Sequence, residues 1–288
     1  MRHRSIVLCL IFAGGPVGAQ TGAQTSDLAR AAAVWERAIT AKGGRDQLYK
    51  VQNLLISTHH DAIRGAHRTE RLLAFPDRYW IWHDHRPPAT DYLTEMYNLD
   101  QTVCWSVRAT GTPQSICPND LSEFEEPVQL AYLLETPWVK PRPVRAWTAE
   151  LERGGGTVPL LILLVNPALH RHRVEIVRTV WRIWTIDYYL DAHSWLPLRV
   201  LVTHTGNAGF AVGPKAAPGE LQLRVGDYSY RFSDYRAING VQMPTAESTG
   251  PGSWDAVSCL TNVTYYSQLF RRAPTLEAGP DGWKHGTP

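Results

Sequence analysis

From Asn53 onward the sequence repeats one device: a short segment rich in Val, Ile, Leu, Trp and Tyr, then a tight bend. "NLLISTHH" (from Asn53), "RTERLLAF" (from Arg68) and "RYWIWHDH" (from Arg78) follow one another, with Arg64-Gly65 and Pro76-Asp77 at the joints, and "EMYNLDQTVCWSV" continues the series. Such segments read as strands and such joints as turns. Strands joined by short turns pair antiparallel, because parallel neighbours need a crossover of about a dozen residues. The chain is therefore expected to be mainly β, with one antiparallel sheet. No fixed internal repeat is present.

Two helices interrupt the pattern. Thr25 or Ser26 can cap the first, Asp27 suits its first turn, and Leu28, Ala32, Trp35 and Ile39 fall on one stripe. Gly43-Gly44 ends it, and Arg45 to Val51 gives one further short turn. The second helix spans "LSEFEEPVQLAYLLE" (from Leu121), with Ser122 and Glu125 at capping-box spacing and Pro127 near its start. Its Glu125-Glu126 pair is expected on a solvated surface. With few helices against many strands, the architecture is α+β: a strongly curved sheet with two helices packed against it.

The aromatic residues decide what that sheet is for. "TVWRIWTIDYYLD" (from Thr179) reads as one strand, with Arg182, Trp184, Ile186, Tyr188 and Leu190 on one face and Trp181, Ile183, Thr185, Asp187 and Tyr189 on the other. Trp80 and Trp82 share a face in the same way. A sheet wet on one side should be apolar on one face and polar on the other, yet here both faces carry rings. Either helices cover the second face or it lines a cavity for an apolar guest. With 11 tryptophans in the chain, Trp80, Trp82, Trp184, Ile186 and Tyr188 are the candidate wall of such a cavity.

The N-terminus fixes the compartment. Met1-Arg-His-Arg4 is basic, Ser5 to Ala13 is apolar, and Val17-Gly18-Ala19 presents small residues, which is the layout of a secretory leader covering residues 1–19. A single domain is expected over 20–272, followed by a loose Pro- and Gly-bearing tail, 273–288. No other segment approaches the roughly 20 apolar residues of a membrane span. The expected location is periplasmic or secreted. There a disulfide can form, and Cys104 and Cys117 flank a Gly- and Pro-bearing turn across which they can pair; two buried free thiols are the alternative. Cys259 is left over as a small buried apolar residue.

Chemistry finds little support. The net charge is +2, with no basic stripe for nucleic acid. His83 and His85 point to one face of a strand, and His59-His60 and His170-x-His172 are also close in sequence, but a zinc site needs three or four ligands and none of the usual spacings accompanies them. No G-x-S-x-G frame is present. "RGGGT" at Arg153 lacks the Lys-Ser of a phosphate loop, so it reads as a turn. No cofactor and no catalytic residue is expected.

Three stretches resemble the exported lipoprotein-sorting family, the LolA-type periplasmic carriers and LolB-type receptors. "WERAITAKGGRDQLYKVQNLLIS" (from Trp35) is similar in its helix, double glycine and first strand. "WTIDYYLDAHSWLPLRVLV" (from Trp184) is similar in its strand, turn and return strand, although His193-Ser194-Trp195 replaces the usual small turn residues. "YRFSDYRAINGVQMPTAES" (from Tyr230) carries the Asp234-Tyr235, Asn239-Gly240 and Pro244 of the third motif and reads as two strands folded back on each other. The resemblance implies a half-open β-barrel capped by helices, a carrier that holds lipid or lipoprotein acyl chains, and no enzymatic activity. It supplies no functional residues. A sensor or protein-interaction module of the same shape, binding an envelope protein, is the alternative.

Overall fold

The computed structural model describes residues 19–62, 65–85, 92–98, 105–108, 122–152, 171–204, 228–248 and 255–264. Helix α1 (Ala19–Lys42) and the single turn α2 (Arg45–Leu48) precede β1 (Asn53–Ala62), β2 (Gly65–Ala74), β3 (Arg78–His85), β4 (Tyr92–Asn98) and β5 (Trp105–Arg108). Helix α3 (Ser122–Leu133) leads into β6 (Arg142–Glu152), β7 (Arg171–Trp181), β8 (Trp184–Asp191), β9 (Pro197–His204) and β10 (Tyr228–Ser233). The short strands β11 (Arg236–Ile238), β12 (Val241–Met243) and β13 (Ala246–Ser248) and the longer β14 (Asp255–Thr261) follow.

Twelve strands form one antiparallel sheet in the order β5-β4-β3-β2-β1-β14-β13-β10-β9-β8-β7-β6. It is curved and not closed into a barrel, since β5 and β6 lie at opposite edges. The order describes two meanders, β1–β5 and β6–β10, joined at the middle by β13 and β14. That seam is narrow: β13 and β14 are in register only at Ala246–Ala256 and Glu247–Asp255, and Val257 N–H donates to the Thr245 carbonyl just beyond, at 2.8 Å.

The expected pair of strands around Asn239-Gly240 resolves into two nested pairs. β10 and β13 belong to the main sheet, while β11 and β12 form a separate two-stranded sheet that projects from it. The division falls where Asp234 takes a positive φ of 54° and where Pro244 has no N–H to give a ladder. Asn239 and Gly240, at φ 50° and 82°, form the tight turn that Asn-Gly favours.

Helix α1 begins earlier than its capping signals suggest and runs through Thr25 and Ser26. Its buried stripe is Ala31, Val34, Trp35, Ala38, Ile39 and Lys42, while Leu28 is 42% exposed and Ala32 is exposed. The expected stripe was therefore right at Trp35 and Ile39 and wrong at Leu28 and Ala32; just before the buried stripe the helix meets β6 and β7 through the half-exposed Arg30 guanidinium, 3.1 Å from both Thr148 Oγ1 and Glu175. Gly43 (φ 124°) then ends it against the projecting hairpin: a Cβ there would stand 2.2 Å from the Gly240 carbonyl oxygen. Only glycine allows the two backbones to approach so closely.

The segment from Thr179 to Asp191, expected as one strand, is a hairpin. β7 ends at Trp181 and β8 starts at Trp184, so Trp181 and Trp184 pair and share a face instead of opposing each other. The turn uses Arg182 at φ 48°, a residue with no turn preference; its guanidinium reaches Glu126 on α3 at 2.7 Å and lies 5.5 Å from the Trp181 ring. Tertiary contacts, absent from the local sequence, hold this bend.

The expected leader falls mostly on residues 1–18, outside the described residues, as do Cys104, Cys117, Arg153 to Thr157, His170 and the tail 273–288. No described helix is long and apolar enough to cross a membrane.

Candidate functional site: the helix-covered face of the sheet

Cross-strand pairing assigns every strand residue to one of two faces. One face carries Leu54, Ile56, Leu73, Tyr79, Ile81, Val257, Cys259, Phe232, Tyr230, Val200, Val202, Tyr188, Ile186 and Trp184, and these form a single core with residues of α1 and α3. Trp184, Ile186 and Tyr188 are there as the alternation requires, at 1%, 0% and 0% exposure. Trp80 lies on the opposite face beside Leu72, buried but outside that core. The Trp82 side chain is outside the described residues. Of the candidate wall residues whose side chains are described, Trp184, Ile186 and Tyr188 share the covered face and Trp80 lies on the other.

Rings stack through this covered layer. Trp35 of α1 packs on Tyr188 with centroids 5.0 Å apart; Tyr132 of α3 meets Phe232 edge-on at 5.0 Å and Tyr230 at 6.5 Å. The Tyr188 hydroxyl donates to the Leu130 carbonyl at 3.1 Å, tying the sheet to the middle of α3.

Three buried carboxylates fasten α3 over this apolar surface. Near its start, Glu126 accepts from the Trp184 indole N–H at 3.1 Å and pairs with Arg182. The expected solvated position for Glu126 is therefore overturned: it is 6% exposed, drawn inward because a buried indole N–H needs an acceptor. Just past the helix end, Glu135 accepts from Trp35 Nε1 at 3.2 Å, Arg45 Nε at 2.6 Å and the Tyr49 hydroxyl at 3.0 Å. Leu134, at φ 65°, turns the chain so that Glu135 reaches back toward α1 and α2.

The third carboxylate, Glu247, belongs to β13 and sits at the seam with 1% of its surface exposed. It accepts from Thr58 Oγ1 of β1 at 3.0 Å and from the Tyr132 hydroxyl of α3, and Arg71 Nη1 of β2 stands 3.7 Å from it. One carboxylate thus connects the second meander's side of the seam, the first meander and the overlying helix. Burial, and after it the charge of Glu247, pushes the Tyr132 phenol well above its ordinary pKa, so it remains a donor to Glu247.

Lys42 ends the buried stripe of α1. Its ammonium is fully buried with no hydrogen-bond acceptor among the described residues, 5.0 Å from the centroid of the Tyr235 ring. Burial lowers its pKa to about 7 and raises that of the neighbouring Cys259 thiol to about 12. Cys259 is a free, buried thiol, as its sequence position suggests.

Sequence reading missed Arg71, Glu247, Glu135 and Lys42. Arg71 was within reach: alternation places it in phase with Leu73 and Thr69, a charge on an otherwise inward row. The partners of Glu247 come from three distant elements, so no local pattern marks it. Among the described residues no group of three or more His, Cys, Asp or Glu converges on one point. The side chains of His83 and His85 are outside those residues.

The covered face is an apolar, ring-lined surface beneath α1 and the twelve-residue α3, with α3 held down by discrete polar contacts at its two ends and at the seam.

No protein-family model matches the chain, and no curated protein matches it. Among solved structures, a LolA superfamily protein from Nitrosomonas europaea is similar at 10% identity, covering 84% of this chain and 97% of that one, with a TM-score of 0.36.

Proposed function

We propose that this chain is an exported, non-enzymatic carrier that holds lipid or lipoprotein acyl chains between the covered face of its sheet and α3. One observation carries the reading: the aromatic face is roofed by two helices, α1 and α3, and α3 is fixed at discrete points through Glu126, Glu135 and Glu247. Polar contacts at a few points can exchange for water when the helix lifts, while the rings beneath stay as a ready apolar wall. Each methylene moved from water onto such a wall stabilises the complex by about 0.8 kcal/mol. A chain of about 14 carbons therefore brings on the order of 11 kcal/mol to set against ordering the guest and displacing the helix.

The test is direct. Protein purified from the cell envelope is extracted and the extract read by mass spectrometry, and stripped protein is titrated with a fluorescent fatty acid. Co-purified acyl lipid and saturable probe binding, weakened by Tyr188→Asp at the wall, are expected. A protein that carries no lipid and ignores the probe, but retains one envelope protein through purification, is instead an interaction module, and the carrier reading is then abandoned.

A further inference from the structure

The face of β6–β10 turned away from α1 and α3 has a different chemistry. Its two central rows, read strand by strand, are Arg145, Arg178, Asp187, Leu201, Ser229 and Trp147, Ile176, Tyr189, Arg199, Arg231. Four guanidiniums face one carboxylate within these rows, and Asp187 is already taken by Arg178 in a two-point contact with both distances 2.7 Å. Asp191, further along the same face, turns its carboxylate to the backbone N–H groups of His193 and Ser194. No carboxylate among the described residues pairs with Arg145, Arg199 or Arg231.

Two details set this face apart from an ordinary solvated surface. Arg199 and Arg231 stand directly opposite each other on adjacent strands, an arrangement of like charges that destabilises a sheet. Burial, and with it the Arg231 charge, holds the Arg199 pKa below its usual value. The arginines also interleave with rings: Arg145 and Arg178 lie 5.4 Å and 5.5 Å from Trp147, and Arg199 lies 5.6 Å from Tyr189. Both rings are half-buried, with Ile176 buried between them and Leu201 buried on the neighbouring strand.

We propose that this open face of β6–β10 docks on an anionic lipid bilayer, with Arg145, Arg178, Arg199 and Arg231 meeting headgroup phosphates and Trp147 and Tyr189 lying among them. Five strands at about 4.8 Å spacing give a patch roughly 20 Å across, broad enough for several headgroups at once. Guanidiniums bind phosphate through paired N–H groups and are weakly hydrated. Tryptophan and tyrosine settle at the headgroup level of membranes, apolar body inward and polar edge outward. The surplus of positive charge matches an anionic leaflet, and the interleaved rings favour a bilayer over an acidic protein or a nucleic acid. The docking surface does not depend on the cargo reading, because it uses the other side of the sheet.

The experiment is co-sedimentation of the whole protein with vesicles of phosphatidylcholine alone and of phosphatidylcholine carrying a quarter phosphatidylglycerol. Binding to the anionic vesicles only, lost at high salt, is expected. Arg145→Gln should weaken partitioning about fivefold and the Arg199→Gln, Arg231→Gln pair about thirtyfold. Trp147→Ser should weaken it at unchanged charge, which a purely ionic association would not show. Fatty-acid probe binding by the same variants should stay at the wild-type level, so the two proposals fail separately. Unchanged partitioning of the arginine variants, equal binding to neutral vesicles, or preference for duplex DNA or an acidic protein over vesicles each overturns the docking proposal. Arg145 is exposed at the edge strand, so its variant folds even if the double variant does not.

Discussion

The two faces of this sheet are built from the same residue types and use them in opposite ways. On the covered face, three carboxylates each collect several donors, and rings close in pairs, Trp35 on Tyr188, Tyr132 on Phe232 and Trp184 on Tyr228. On the open face, arginines outnumber carboxylates and two of them confront each other across adjacent strands. A buried charge must be matched or it costs several kcal/mol; a charge facing water tolerates an unmatched neighbour for a few tenths. Burial therefore decides which face must match its charges and which tolerates unmatched ones.

Substitutions should separate the two regimes. Trp184→Ala, at the centre of the covered layer, should cost about 3–5 kcal/mol by emptying a large buried volume and by leaving Glu126 short of a donor; denaturant unfolding measures it. Glu247→Ala should come next at about 3 kcal/mol, since Arg71, Thr58 and Tyr132 lose a shared acceptor. That corresponds to a fall in melting temperature of roughly 6–12 °C for a domain of this size. Adding Arg71→Met to Glu247→Leu should recover much of the loss; if it does not, the carboxylate matters for the helix roof rather than for the ion pair.

The third test uses pH. Lys42 titrates near 7 in the fold and near its ordinary 10.5 when unfolded, so between these values the unfolded chain binds the extra proton and stability rises with pH. The burial penalty is fully present below about pH 7 and is progressively relieved above it. From pH 7 to pH 9 the gain should be roughly 2 kcal/mol, and Lys42→Met should flatten it. Above pH 9 the raised pKa values of Cys259 and the buried tyrosines act in the reverse sense. The smallest effect belongs to the open face: Arg199→Gln should change stability by no more than about 0.5 kcal/mol, with a slight gain from removing the like-charge pair. A large loss there would erase the contrast between the faces.

The sequence disclosed the covered face well and its fastenings poorly. Period-two alternation correctly put Trp184, Ile186 and Tyr188 on one side, because the pleat obliges it. It could not orient Trp80 and Trp82 relative to them, since that relation runs through seven intervening strand pairings, β3 to β8. The break at Arg182 escaped notice because its stabilising partner, Glu126, is on a helix far away along the chain. Glu126 itself looked like a surface residue, and only the neighbouring indole explains its burial. Glycine and proline punctuation was more dependable: Gly43, Gly240 and Pro244 all stand where the backbone demands them.

The position of β14 has a consequence for biogenesis. A segment from late in the chain is inserted between β1 and β13, so until it is synthesised and delivered, β1 presents a bare row of amide and carbonyl groups to whatever strand is near. Such exposed borders invite pairing between molecules. A nascent polypeptide of this design depends on being kept unfolded until β14 is available, and a chain stopped short of Asp255 should precipitate rather than form a smaller version of itself.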